Sequence, residues 1–384
     1  MKKVIFIIML INVFCLCVGC GIQNEAGEQE DENIITSDSE NSNESTEPVS
    51  FRMKDSKQNM IIATKKELTE FTVEKDDEFT RINNNSINGS FFHPYKDGYF
   101  YAVDFLEKGT DGPNAVMCYD NGKGKLTKQK EMLGIVQVLD DTIYYLDENG
   151  HLKRKRNEED IVLDSLDLDT GNWSTLFFTE DYIYFVEEDE ESEKSYIYKV
   201  DYEGKERQKI YEFDINIDQI YIYKNKLWFA FYEFDDVDKN RLGVLDLVEN
   251  TINVYKNIHI DNDTTGNSIL AVNNGYIYLN SSGLKRLDVQ NNLLEKVYKK
   301  NVGGVNFTED CMLFFTEKNL FRINSDGVKN IRTLTGKTEG FGGIRVEKDK
   351  LYIYSYAGAF YDNISQIDIE GNIIKEIKGW QSAN

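Results

Sequence analysis

Histidine, proline and cysteine are scarce in this sequence of 384 residues, with 3, 3 and 5 copies. The histidines His93, His151 and His259 stand far apart, and none has a cysteine at the spacing of a zinc site. The sequence contains no G-x-S-x-G elbow, no glycine-rich phosphate loop and no H-E-x-x-H. We therefore expect no catalytic motif and no cofactor, and His93 is interpreted as a partly buried structural residue.

The few cysteines do not suggest a disulfide framework. Three of the five stand near the N-terminus, so that Cys118 and Cys311 are the only ones in the body of the chain. Both lie in apolar runs, and we expect them to be buried free thiols.

Basic residues are also fewer than acidic ones. The chain has 44 basic and 67 acidic residues, for a formal net charge of −23 at pH 7. Such a chain repels phosphate backbones, which argues against a nucleic-acid partner. Tyrosine and phenylalanine are abundant instead, with 23 and 22 copies, and both favour strands because their rings pack well on a pleated surface.

The N-terminus has the layout of an export signal. Lys2 and Lys3 precede a run from residue 4 to 18 that is almost wholly apolar, and small Gly19 stands before Cys20. The segment resembles a bacterial lipoprotein signal, in which the cysteine after a small residue is lipidated and becomes the new N-terminus.

The resemblance implies a signal peptide over residues 1–19 and a lipid on Cys20, which would hold the protein at the extracytoplasmic face of the cell membrane. The sequence departs from that family at Cys17, where leucine is usual. An uncleaved membrane anchor is the alternative, and it places the chain on the same side.

The next segment, residues 20–50, is predicted to be a disordered acidic linker. Residues 21–50 hold nine acids, no base and few large apolar side chains, so the segment cannot bury enough surface to offset its chain entropy. Residues 51–85 remain unassigned, since they could form strands or a short helix.

From about residue 86 the sequence repeats. A polar turn followed by an apolar-aromatic run recurs seven times, as in "DGYFYAV", "DDTIYYL" and "EDYIYFV". A hairpin-like segment follows each copy, so each repeat offers four short strands in about 40 residues. One aromatic column runs through Tyr101, Tyr144, Tyr184, Trp228, Tyr278 and Tyr352, with Leu313 as the exception.

This pattern predicts an all-β fold over residues 86–380: a seven-bladed β-propeller of four-stranded antiparallel blades. A β-sandwich or two smaller barrels are the alternatives. The stretches "DDTIYYLDENGHLKR" and "KNLFRINSDGVKNI" resemble a bacterial propeller family related to the YWTD propellers of the low-density-lipoprotein receptor, although the YWTD tetrapeptide is absent. Many members of that family look like exported lipoproteins of unassigned function, so the resemblance implies a fold and a location.

Acidic residues cluster in loops that a propeller would place on one face. The candidate ligand-binding residues are Glu187, Glu188, Asp189, Glu190, Asp235 and Asp236. They would either be solvated loop residues or hold a cation or a basic partner.

One loop resembles the start of a calcium-binding loop. Asp261, Asp263, Thr265 and Gly266 match its first positions, but Val272 stands where a closing glutamate is required. Calcium is the only cation that the sequence suggests.

The sequence thus predicts a lipid-anchored binding or scaffold module without catalytic activity. Its partner would be an unknown protein or glycan of the cell envelope. The alternatives are an envelope enzyme that acts on glycans or peptides through carboxylates, and a purely structural role in the envelope.

Overall fold

The structure is a computed structural model. It describes residues 47–52, 59–60, 63–65, 68, 71–88, 92–95, 99–103, 114–119, 127–139, 141–147, 151–157, 159–165, 176–189, 191–233, 236–261, 269–348, 350–357 and 362–378. The predicted signal peptide, Cys20 and residues 20–46 of the predicted linker lie outside these residues.

Three short strands and a helix lie in and around the segment that the sequence left unassigned, and the first strand begins at Val49, within the predicted linker. These elements are β1 (Val49–Phe51), β2 (Asn59–Met60), β3 (Ala63–Lys65) and α1 (Glu78–Asn88). Among the described residues, no helix is long and apolar enough to span a bilayer.

The remaining strands form six sheets, which we number blades 1 to 6 in chain order. Blade 1 contains β4 (Phe92–Pro94), β5 (Tyr99–Val103), β6 (Asn114–Tyr119), β7 (Thr127–Leu139), β8 (Thr142–Leu146), β9 (His151–Arg156) and β10 (Glu159–Ser165). Blade 2 contains β11 (Phe177–Phe178), β12 (Tyr182–Asp189), β13 (Lys194–Asp201) and β14 (Arg207–Phe213), and blade 3 contains β15 (Asn216–Tyr223), β16 (Lys226–Glu233), β17 (Asp236–Asp246) and β18 (Thr251–Ile260).

Blade 4 contains β19 (Ile269–Asn273), β20 (Tyr276–Asn280), β21 (Leu284–Asp288) and β22 (Leu293–Lys296). Blade 5 contains β23 (Gly304–Phe307), β24 (Met312–Phe315), β25 (Asn319–Asn324) and β26 (Gly327–Thr333). Blade 6 contains β27 (Glu339–Glu347), β28 (Lys350–Ala357), β29 (Asp362–Ile367) and β30 (Ile373–Lys378).

The fold is a β-propeller, and the prediction of four-stranded antiparallel blades is confirmed. The prediction of seven blades is wrong, because the structure has six. The first two sequence repeats share one seven-stranded sheet, since β7 is a single strand of 13 residues. The part of β7 before Leu133 pairs with β6 and the part after it pairs with β8, so no turn separates the two repeats.

The blades close into a ring through contacts between neighbours. The inner strands β15, β19, β23 and β27 contact one another in that order, and β10 contacts β13 between blades 1 and 2. Blade 6 meets blade 1 where the rings of Tyr352 and Phe92 lie with their centroids 4.4 Å apart. The predicted aromatic column is buried at Tyr144, Trp228, Tyr278 and Tyr352, half-buried at Tyr184, and outside the described side chains at Tyr101.

Helix α1 fills the centre of the ring. Its side chains Ile82, Asn83, Asn84, Asn85 and Asn88 are buried, and it contacts the inner strands of blades 2, 4, 5 and 6. Asp77 caps its first turn, because the carboxylate accepts the Thr80 N–H at 2.8 Å. Asparagine is a poor helix former, so the reason for this sequence lies in what the asparagines bind.

Each buried asparagine of α1 pairs with the backbone of an inner strand. Asn83 donates to the carbonyl of Phe178 in β11 and accepts its N–H, at 2.8 and 2.9 Å. Asn85 does the same with Val346 in β27, at 2.8 and 3.0 Å. A carboxamide carries one donor side and one acceptor side, as a peptide group does, so α1 satisfies strand edges that would otherwise be buried without partners.

Two further contacts extend this pairing. Asn88 joins two blades, because it donates to Leu270 O of β19 at 2.6 Å and accepts the Val305 N–H of β23 at 2.9 Å. The hydroxyl of Tyr221 in β15 donates to Asn84 Oδ1 at 3.0 Å. The helix is therefore bound to blades 2 to 6 through side-chain amides.

Candidate functional site

A cavity of about 680 Å³ lies beside the N-terminal end of α1, between blades 5 and 6. We call it the channel-mouth cavity, because it lies beside one end of the helix that fills the central channel of the ring. Its apolar wall consists of Phe307, Val346, Leu351, Ile367, Ile369 and Ile374. Its charged lining consists of Lys75, Asp76, Arg81, Glu309, Asp310, Lys348, Lys350 and Asp368, and Thr308 and Gln366 complete it.

Asp76 is the most perturbed acid at this cavity. Burial raises its pKa to about 6, although hydrogen bonds from Asn273 and Asn84 act in the opposite direction. Asn273 Nδ2 donates to one carboxyl oxygen at 2.7 Å and Asn84 Nδ2 donates to the other at 3.0 Å. Asp76 therefore links the start of α1 to the end of β19, and both of its oxygens are occupied by amide donors.

A network of charged side chains connects α1 to blade 6 near Asp76. Arg81 of α1 forms an ion pair with Glu347, with Nη1 and Oε2 2.8 Å apart, and Arg345 Nε donates to the same carboxylate at 2.9 Å. Arg345 is 2% exposed, and burial lowers its pKa. The shared carboxylate of Glu347 thus compensates two cations and fixes the first turns of α1 against blade 6.

His93 lies at the inner end of this network and is fully buried. Its Nδ1 is 3.1 Å from Gln137 Oε1 and 3.3 Å from an Arg345 nitrogen. These contacts join blade 1 to blade 6, and His93 is fully buried rather than partly buried as the sequence predicted.

The rim of the cavity carries the remaining charges. Lys75 forms an exposed ion pair with Glu309. Lys348 and Lys350 are exposed and form no ion pair within the described part of the chain. The cavity thus combines an apolar wall with charges of both signs.

Of the acids singled out from the sequence, Glu187, Glu188 and Asp189 form the end of strand β12 in blade 2 rather than a loop, and they pair with β13. Glu187 is 3.8 Å from Arg207, and Glu188 accepts from Asn216 Nδ2 at 2.7 Å. Asp189 accepts the N–H of Ser192, and hydrogen bonds from that residue lower its pKa. Glu190 and Asp235 lie outside the described residues, and Asp236 begins β17 with its side chain outside the description.

Of the proposed calcium ligands, the structure describes only Asp261. Its carboxylate accepts from Asn301 Nδ2 at 3.1 Å and from the Ser282 N–H, so it joins two loops of blade 4. Asp263, Thr265 and Gly266 lie outside the described residues. Among the residues that are described, no group of three acidic, histidine or cysteine side chains is placed to hold a metal ion.

Cys311 is a buried free thiol, as predicted, and burial raises its pKa. The side chain of Cys118 lies outside the description. The sequence did not reveal the channel-mouth cavity, because Asp76 and Arg81 belong to the segment that stayed unassigned. The signal that could have found the helix is Asp77, a preferred N-cap residue, followed by acidic Glu78 in the first turn.

No family model matches the chain, and no curated protein matches it. Solved structures resemble its fold. A puromycin hydrolase mutant complexed with PGG has a TM-score of 0.53 and 6% identity, over 83% of this chain and 58% of that one. A puromycin-hydrolyzing peptidase from Mycobacterium tuberculosis has a TM-score of 0.50 and 8% identity, over 83% and 57%.

A prolyl endopeptidase structure has a TM-score of 0.50 and 10% identity, over 78% of this chain and 50% of that one. This chain thus spans less than two thirds of the length of these peptidases. At such identities the likeness shows the propeller fold alone.

Proposed function

We propose that this protein is a non-catalytic binding module, held at the extracytoplasmic face of the cell membrane by a lipid on Cys20. In this proposal the propeller holds a segment of a protein partner in the channel-mouth cavity. The observation that carries the proposal is the lining of that cavity, which combines apolar side chains, of which Ile374 is 61% exposed, with cations and anions at its rim.

A peptide segment suits this lining better than a glycan does. Peptides offer apolar side chains together with charges of both signs, which is what the wall and the rim would pair with. Sugars bind through hydroxyl contacts and by stacking on aromatic faces, whereas Phe307 is the one aromatic residue in the lining and is only 3% exposed.

The rigid base of the cavity supports a role in binding. Asp76 is bound to α1 and β19 by two hydrogen bonds, and Arg81 is paired with Glu347 of blade 6. A preformed site loses less conformational entropy when a partner binds. Exposed Lys348 and Lys350 add charge at the rim that a partner carboxylate would pair with.

An envelope enzyme that acts through carboxylates is the second candidate. The observation that favours it is Asp76, whose pKa of about 6 would suit proton transfer near neutral pH. Both oxygens of Asp76 accept amide hydrogens, however, which suits a structural carboxyl better than an acid or base that must reach a substrate.

The test is capture of envelope proteins by the full chain and by two matched variants. Ile374→Arg places a cation in the cavity wall at a residue that is 61% exposed, and Val248→Arg places one at a 74% exposed residue in a turn of blade 3. We expect one partner to be captured by the native chain and by Val248→Arg but not by Ile374→Arg.

Capture of the same proteins by all three chains would contradict the proposed site. The enzyme alternative predicts a different result. Peptide or glycan mixtures incubated with the native chain would yield new products in mass spectra, and Asp76→Asn would abolish them.

A further inference from the structure

The strands before α1 form a belt on the outside of the propeller. β1 lies parallel to β14 on blade 2, with Val49 opposite Tyr211. β2 lies parallel to β18 on blade 3, and β3 lies parallel to β22 on blade 4. Three consecutive blades therefore carry a fifth strand, each time parallel to the outermost strand of the blade.

Blade 5 is the next blade in the ring, and β26 is its outermost strand within the described part of the chain. The chain leaves the belt after Lys65 and continues into α1. The residues from Gly327 to Asn330 are exposed, and Val328 is 45% exposed.

The charge on β26 restricts what could cover it. In a chain with a net charge of −23, this strand carries Lys329 and Arg332 and no acid. Pairing with β26 of a second copy would bring like charges together, which destabilises a strand pair. Arg332 already donates to Gly371 O of blade 6 at 3.2 Å, so an acidic strand would place a carboxylate beside exposed Lys329.

From these observations we infer that β26 is a docking edge for an extended acidic segment of a partner protein. The segment adds to blade 5 as a fifth strand parallel to β26, as β1, β2 and β3 add to the three preceding blades. Main-chain hydrogen bonds supply the attachment. An acidic residue beside Lys329 and an apolar one beside Val328 supply the selectivity.

This surface is separate from the channel-mouth cavity, since no residue of β26 lines that cavity. The inference therefore does not depend on the proposed function. The competing explanation is that Lys329 only protects an exposed edge, because lysine on an edge strand discourages strand pairing.

The test uses the full chain and a fluorescent, N-acetylated peptide of alternating glutamate and valine, followed by anisotropy. Two further peptides serve as controls: one has N-methyl groups at alternate residues, which removes its strand hydrogen bonds, and one has lysine in place of glutamate. Lys329→Glu is the test variant, and Lys375→Glu on the outer strand of blade 6 is its matched control.

We expect saturable binding of the acidic peptide, with slower hydrogen exchange confined to β26, and binding of neither control peptide. Lys329→Glu is expected to weaken binding by about tenfold or more, corresponding to about 1.4 kcal/mol, and Lys375→Glu to leave it unchanged. Absence of saturable binding, equal binding of the N-methylated peptide or equal loss in both variants would overturn the inference.

Discussion

Asn84 completes the edge of an inner strand by binding both backbone groups of a single residue, Val272. Its Nδ2 donates to the Val272 carbonyl at 2.9 Å, and its Oδ1 accepts the Val272 N–H at 3.0 Å. Asn83 and Asn85 repeat this geometry with blades 2 and 6. The centre of this propeller is therefore closed by one helix whose side-chain amides act as strand partners.

Replacement of Asn84 by leucine should destabilise the fold strongly. Asn84→Leu leaves the N–H and C=O of Val272 without partners in a dry interior, and each buried unsatisfied group costs about 1–3 kcal/mol. We expect the free energy of unfolding to fall by about 2–5 kcal/mol, measured by urea unfolding of the full chain.

Ser86→Ala is the matched control on the same helix. The Ser86 hydroxyl is buried and has no hydrogen-bond partner in the described part of the chain, so its removal should change the free energy of unfolding little. Equal losses in the two variants would contradict the role assigned to the asparagine.

The buried ion pair of blade 4 should behave as a unit. Arg286 and Glu295 lie opposite each other on β21 and β22, are 0% and 1% exposed, and have Nη2 and Oε2 2.7 Å apart. Glu295→Gln leaves a buried guanidinium without its counter-charge, which should cost about 3–5 kcal/mol.

The double variant Arg286→Met, Glu295→Leu should recover most of that loss, since paired replacement of buried ions by apolar residues is often neutral. The measurement is the melting temperature of the native chain, of Glu295→Gln and of the double variant. A double variant less stable than Glu295→Gln would refute the explanation by an uncompensated charge.

Asp76 should make stability depend on pH. Its pKa is raised from 3.8 to about 6 in the folded chain, so the folded state binds the proton more tightly than the unfolded state does. This group therefore opposes folding above pH 6, and its penalty disappears as the pH falls toward 4.

Asp76→Asn removes that titration. The stability of the native chain relative to Asp76→Asn should rise by about 1–2 kcal/mol between pH 7.5 and pH 5, as measured by urea unfolding. Asp189→Asn is the control, because the pKa of Asp189 is lowered and the group stays ionised throughout this range. A difference between native chain and Asp76→Asn that does not vary with pH would exclude the buried titration.

Membrane attachment should depend on Cys20. The export layout of the N-terminus predicts that Cys20→Ala releases the protein from the membrane fraction or halts its processing, as followed by fractionation and by the mass of the N-terminal peptide. Cys311→Ala is the control, since that thiol is buried in the propeller. Normal processing and retention of Cys20→Ala would remove the lipid anchor from the account.

The repeats in the sequence predicted the four-stranded blades because second strands such as β16 and β20 are buried between neighbours. Trp228 and Tyr278 are 1% and 0% exposed, and the pattern around them recurs with little variation. The blade count could not be read in the same way. Whether Thr127–Leu139 forms two strands with a turn or one continuous strand depends on how it pairs with β6 and β8 in the folded sheet, and the apolar pattern is the same in both cases.

The helix and the cavity could not be predicted from the sequence for a related reason. Helical propensity disfavours a run such as "RINNNSIN", and the bonds that override it reach residues such as Val346, 261 positions along the chain. The acids of blade 2 were visible as a charged run, but their local partners, such as Asn216 for Glu188, appear only in the folded chain.

Hydrogen exchange at the amide of Val272 tests most directly the claim that α1 closes the ring. We predict that this amide exchanges as slowly as those in the centre of a blade in the native chain and in Ser86→Ala, and that Asn84→Leu accelerates it strongly. Exchange of the Val272 amide at the rate of an exposed turn in the native chain would contradict the account.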